Sequence, residues 1–187
     1  SSIVPVVMEQ NPFEDTYCDA MWQKLKTGTG VYKVTWDADK LGGLGDIAIE
    51  RVDLLNLFWE PGIADIQDSR YFYHTALHDN DILEQRYPQL EGKLKGSPFT
   101  ATKFLYDDAV DTSGKTTVID CYYKLWQDGH TVLHYVKYVG DTVLYATEDE
   151  GKPLYDHGLY PFVFDSLFPV EGSPCGYGFV DLCSNAQ

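Results

Sequence analysis

The chain has 187 residues, enough for one domain with a real apolar core and no need of disulfide staples. Its 14 lysines and arginines stand against 29 aspartates and glutamates, a formal net charge of −15. That balance excludes a phosphate-gripping nucleic-acid module with a basic stripe and disfavours an anionic membrane surface as a partner.

In chain order, residues 1–12 are expected to be extended, ending at Asn11-Pro12. Asn11 or Asp15 then caps a helix over about 14–26, with Met21, Trp22 and Leu25 among its apolar positions, and Thr27-Gly28-Thr29-Gly30 breaks it. A strand follows over 31–36, then a loop through Asp37, Asp39, Lys40 and Gly43. Residues 46–52 alternate, with Ile47, Ile49 and Arg51 against Asp46, Ala48 and Glu50. Glu60-Pro61-Gly62 turns the chain, and 71–77 reads as a strand that completes a sheet region of 30–76. A short helix over 79–87 is ended by Pro88. Residues 89–115 read as a long connection.

Residues 116–126 and 130–139 are β-branched and aromatic, and Asp128-Gly129 between them supplies two positions with positive φ, the mark of a tight hairpin. Gly140-Asp141 offers a second turn, so 116–147 is expected to be a three-stranded antiparallel meander. An acidic loop ends it at Gly151. A further strand covers 161–168, a Gly/Pro turn 172–178, and a helix starts at about 179 and runs to 187. The expected fold is α+β: a single domain over 1–187, mainly antiparallel sheet with the meander at its heart and the 14–26 helix and a few short helices packed on it.

Candidate chemistry is sparse. Gly28-Thr29-Gly30 precedes a strand, whereas a phosphate loop opens a helix, so it reads as a turn. Asp37, Asp39 and Gly42 resemble the start of a calcium loop, but Leu41 and Ala48 occupy the places that need oxygen ligands. His74 and His78 share a strand face about 13 Å apart by the strand rise, too far for one metal. Ser173 sits in turn chemistry between Gly172 and Pro174, with no nucleophile elbow. Cys121 and His134 could face each other across the meander, but nothing marks the thiol as activated. Cys18, Cys121, Cys175 and Cys183 form no zinc spacing and read as reduced, mostly buried thiols of an intracellular protein, a Cys175–Cys183 bridge being the alternative. No apolar run approaches the roughly 20 residues of a membrane helix, and no signal peptide is visible at Ser1. No residue is nominated as catalytic, cofactor-binding or metal-binding, and no cofactor is expected.

Four stretches together carry a resemblance. Gly28-Thr29-Gly30-Val31-Tyr32-Lys33-Val34-Thr35-Trp36-Asp37 is the first. Gly45-Asp46-Ile47-Ala48-Ile49-Glu50-Arg51-Val52-Asp53, continued by Asn56-Leu57-Phe58-Trp59-Glu60-Pro61-Gly62, is the second. Asp65-Ile66-Gln67-Asp68-Ser69-Arg70-Tyr71 is the third. The fourth runs from Gly158-Leu159-Tyr160-Pro161-Phe162-Val163 through Glu171-Gly172-Ser173-Pro174-Cys175-Gly176-Tyr177-Gly178. In this order they resemble the portal proteins of tailed bacteriophages and prophages, the head-to-tail connectors. The match spans most of 25–187 and departs from the family pattern at Leu54, Glu60 and Cys175.

The resemblance implies a structural component of the portal ring at the capsid vertex, serving DNA packaging and ejection, and no enzyme. It implies a homo-oligomeric ring, usually of twelve subunits, contacted by terminase, capsid and tail or adaptor proteins. Double-stranded DNA passes through without sequence-specific contact. The protein would be made in the bacterial host cytoplasm and reside in the virion. Only the wing-like, β-rich part of such a subunit is recognisable, so the sequence is expected to be a piece of a larger one, monomeric or weakly associated by itself. The alternative, drawn from the aromatic and acidic composition, is a carbohydrate-binding or glycan-processing β-domain. A small enzyme using a Cys or a His is a third reading.

Overall fold

The computed structural model of the chain describes residues 3–94 and 113–184. In chain order the elements are α1 (Ile3–Gln10), α2 (Phe13–Thr27), β1 (Thr29–Asp37), the short α3 (Lys40–Gly43), β2 (Asp46–Val52) and β3 (Leu57–Trp59). There follow β4 (Tyr71–Asp79), α4 (Asn80–Arg86), β5 (Lys115–Gln127), β6 (His130–Val139) and β7 (Thr142–Ala146). The last are β8 (Phe162–Ser166), β9 (Phe168–Pro169), β10 (Gly176–Tyr177) and α5 (Phe179–Ser184). The fold is α+β, and the paired strands described are antiparallel. Its backbone packs as two compact units. One comprises Ser1–Leu54, Gly62–Asp65 and Pro161–Gln187, the other Leu55–Pro61 and Ile66–Tyr160.

In the first unit β1 is the central strand of a three-stranded sheet, between β2 and β8. Helix α2 lies close on β1 because Gly30 has no side chain; a Cβ there would stand 2.9 Å from the Ala20 carbonyl oxygen. Phe13 packs on Tyr32 with ring centroids 6.1 Å apart, and Lys24 Nζ reaches Asp165 Oδ1 at 2.6 Å. On the other side of the sheet Val31, Ala48, Val52 and Phe162 are buried, as the two-residue period of a strand requires. Gly28 ends α2 in the left-handed conformation, φ 89°, and its N–H reaches back to the Lys24 carbonyl, the stop expected from the sequence. It also has no room to be anything but glycine, since a Cβ would lie 2.2 Å from the Gly176 carbonyl oxygen.

Residues 1–12 correct the expectation of an extended segment: Ile3–Gln10 is helical. Pro5 falls in the first turn, where its missing N–H would have had no intrahelical partner anyway. The expected cap is corrected as well. Pro12 occupies the cap position of α2 and no side chain caps it. Asn11 instead turns to its own helix and to β2: its Nδ2 donates to the Val7 carbonyl at 2.8 Å and to the Ile47 carbonyl at 3.0 Å.

In the second unit the strands run in the order β3-β4-β5-β6-β7. The expected meander is its β5-β6-β7 part, turned by Asp128 (φ 50°) and Gly129 (φ 84°). The expected sheet region of 30–76 is divided: β1 and β2 join β8, whereas β3 and β4 join the meander. At one end α4 and the turn Pro88–Leu90 close a core of Leu83, Leu90, Val118 and Val139, with Tyr87, Leu94 and Leu144 packed against it. At the other end Phe72 is buried between Trp59 and Tyr160, ring centroids at 6.2 and 5.6 Å. Of the expected connection 89–115, residues 95–112 lie outside the described residues, and Lys115 already belongs to β5. The strand expected over 161–168 is β8 with β9, and β10 in the expected turn pairs back on β9. The helix expected from 179 runs to Ser184; 185–187 lie outside the described residues.

Candidate functional site

Two features of the second unit gather polar chemistry. The first is a row of directly opposed residues, His74 on β4, Asp120 on β5 and Lys137 on β6. Even positions of β5 face the packed side, so Asp120 lies between Val118 and Tyr122 and is buried with them. Its Oδ1 accepts the Tyr135 hydroxyl at 2.7 Å and stands 3.6 Å from Lys137 Nζ; its Oδ2 meets His74 Nδ1 at 3.3 Å. Burial, and then the Asp120 charge, push the Tyr135 phenol far above its ordinary range. Desolvation, and then Lys137, hold the neighbouring His78 below the usual imidazole value. A buried carboxylate held by Tyr135, Lys137 and His74 is a fixed anchor within the sheet.

The second feature is a shallow groove of about 430 Å³ at the end of the same sheet, lined by Gln67, Asp68, Ser69, Arg70, Lys124, Leu125, Trp126, Thr131 and His157 to Leu159. Its floor is held by side chain to backbone bonds. Gln67 takes both backbone groups of Tyr160, Oε1 accepting from the N–H at 2.9 Å and Nε2 donating to the carbonyl at 3.2 Å. The Tyr160 hydroxyl donates to the Ser69 carbonyl at 2.8 Å, and Lys124 donates to the Gln67 carbonyl while lying 4.5 Å from the centre of the Tyr160 ring. Gly158 brings the loop down on β6, because a Cβ would stand 2.6 Å from the Thr131 carbonyl oxygen. On the rim, Arg70 clamps Glu60 with Nη2 to Oε1 at 2.7 Å, and that bond holds the Glu60 carboxyl below its usual value. Trp126 is 74% exposed. An exposed ring in a groove also lined by the Asp68 carboxylate and the His157 imidazole offers a surface for stacking and hydrogen bonding.

The constellations weighed in the sequence are mostly kept apart. Asp37 Oδ1 accepts the Asp39 N–H at 3.0 Å, a local turn bond. His134 is buried, stacked on Tyr123 and paired through Nδ1 with Thr147 Oγ1 at 3.1 Å, whereas Cys121 bonds Tyr73. Burial pushes the Cys121 thiol up, the opposite of activation. The thiol expectation needs correction: Cys18 and Cys183 are exposed, Cys121 and Cys175 half-buried, and all four are free, so Cys175 and Cys183 are not bridged. Ser173 Oγ accepts the Cys175 N–H at 3.1 Å, as turn chemistry predicts. Among the described residues no group of three or more His, Cys, Asp or Glu side chains is placed to hold a metal ion. No described helix is long and apolar enough to cross a membrane. Sequence reasoning missed Asp120 and Tyr135. The available signal was a single carboxylate at an inward position of an otherwise apolar and aromatic strand.

Compared with known proteins, the chain matches no family model and no curated protein.

Proposed function

We propose that the chain is the wing-like part of a tailed-phage or prophage portal subunit, a structural component of the ring through which double-stranded DNA is packaged and ejected. One observation carries this reading: the four stretches that resemble the family are tied together by their own distinctive residues. In one unit Gly28 of the first stretch and Gly176 of the fourth meet backbone to backbone, leaving no space for a Cβ at Gly28. In the other, Ser69 Oγ of the third accepts the Glu60 N–H of the second at 3.0 Å, and Arg70 of the third pairs with the Glu60 carboxylate. Gln67 and Ser69 of the third hold Tyr160 of the fourth. On this reading the motif residues are turns, crossings and latches of a scaffold, and bond chemistry is not asked of them.

The partners would be further copies of the subunit, terminase, and capsid and tail or adaptor proteins, at the vertex of the virion. A charge of −15 suits a wall past which DNA slides without its phosphates being gripped. Negative-stain electron microscopy of the complete gene product tests the proposal. Ring-shaped oligomers with an axial channel are expected; a product that stays monomeric at every concentration overturns it.

The groove favours one other reading, a glycan-binding β-domain, because an exposed Trp126 and the Asp68 carboxylate both line it. Titration with soluble oligosaccharides would then quench fluorescence in the native chain and not in Trp126→Phe. No quenching at millimolar sugar rejects it.

A further inference from the structure

Helices α1 and α2 leave a groove of about 580 Å³ where they meet, walled by Pro5, Met8, Pro12 and Phe13, with Glu9, Glu14 and Asp15 around it. Helix α1 buries none of its residues. Ile3, Val4 and Val6 are 72%, 62% and 50% exposed, and Met8 is 39% exposed. Contiguous exposed apolar side chains with a polar rim mark an interaction surface. The helix is not loosely placed: Asn11 fixes its end through Val7 and Ile47, and Lys40 Nζ donates to Asn11 Oδ1 at 2.6 Å. Among the described residues Glu9, Glu14 and Asp15 make no ion pair.

We propose that this groove docks a cationic amphipathic segment of a partner protein, a helix that lays an apolar face on the wall residues and sets Lys or Arg against the carboxylates. The charges select the occupant. A second copy would bring a second acidic rim against this one, within a chain already at −15. An anionic lipid surface meets the same repulsion. A basic helix gains both the apolar burial and the complementary field, the usual helix-in-groove mode. This surface is independent of the portal reading and of the glycan reading, since it lies on other elements.

The test is fluorescence anisotropy at 150 mM salt with a labelled peptide of leucine and lysine at helical spacing. A second peptide keeps every lysine and replaces leucine by serine. The exposed substitutions Met8→Ser and Glu9→Lys leave the fold intact, as circular dichroism would check. Asp149→Lys, on the exposed loop after β7, carries the same charge change elsewhere. Expected results are binding of the Leu/Lys peptide, at least about tenfold weaker binding of the Ser/Lys peptide, and a loss of about tenfold for Met8→Ser and for Glu9→Lys. Asp149→Lys should leave the affinity unchanged. Three results overturn the proposal: equal losses for Asp149→Lys and Glu9→Lys, no loss for Met8→Ser, or self-association in sedimentation that Met8→Ser abolishes.

Discussion

The Asn11 side-chain Oδ1 accepts the backbone N–H of Ile49 at 3.2 Å. With the Nδ2 bond to the Ile47 carbonyl, one side-chain amide acts as an added rung on the outer edge of β2. Such an edge otherwise presents open donors and acceptors. Replacing Asn11 by Ala removes the rung from a buried position and leaves Lys40 without this acceptor. We expect a loss of about 1–3 kcal/mol in urea unfolding, with the slope against urea unchanged.

Tyr135→Phe removes the hydroxyl that donates to Asp120 and keeps the ring that packs on Tyr122 at 4.9 Å. A buried hydrogen bond to a charged group contributes about 1.5–3 kcal/mol, so chemical denaturation should show a loss of that order. A double-mutant cycle with Asp120→Asn should show coupling above about 0.5 kcal/mol; additive losses would dissolve the network.

Acid should weaken the second unit through His78. Its folded-state pKa lies below the ordinary 6.5, first because burial removes water and then because Lys137 is near; His74 and Arg86 push the same way and Asp120 opposes. The unfolded chain therefore takes up the proton first. Stability attached to this group is fully present above 6.5 and is lost as the pH falls from there toward the lower folded value. His78 is itself exposed on β4, so solvent screening keeps the slope from this one group shallow. His78→Gln should flatten the urea-unfolding profile between pH 6.5 and 5.5, and an unchanged slope would assign it elsewhere.

The glycines separate conformation from space. At Gly172, φ is 76° and a Cβ would meet nothing within 4 Å, so Gly172→Ala should cost about 1 kcal/mol for the left-handed backbone alone. At Gly28 the same change meets both a φ of 89° and the Gly176 carbonyl, and it should cost about 3 kcal/mol or more. Thermal melts of the two variants should differ clearly. Similar melts would show that the crossing can relax.

Local rules made part of this visible in the sequence. Asp128-Gly129 announces its hairpin because positive φ is a property of those two residues. Gly28 announces the end of α2 for the same reason. That Gly28 must also clear Gly176 depends on a strand pair formed far away in the chain, which no local pattern records. Alternation marks β1, β2 and β4 without saying that they belong to two sheets, and it singles out neither the short β3 nor the Asp120–Tyr135 pair. The sequence does not announce the helix at Ile3–Gln10, and Pro5 is tolerated in it only because it falls in the first turn. The groove at Trp126 needs the 157–159 loop to settle on the ends of β5 and β6, which only tertiary packing decides.

The row His74, Asp120, Lys137 bears on how this sheet avoids misassembly. In the native register Asp120 faces Lys137 and Tyr122 faces Tyr135, so sliding β5 by two residues along β6 would set Lys137 against Val118 or Tyr122. The carboxylate makes that slip costly: displaced by two, it loses the directly opposed ammonium, and Lys137 is left facing an apolar or aromatic side chain. Asp120 therefore acts as an alignment key, a residue whose worth lies in the wrong pairings it makes unaffordable.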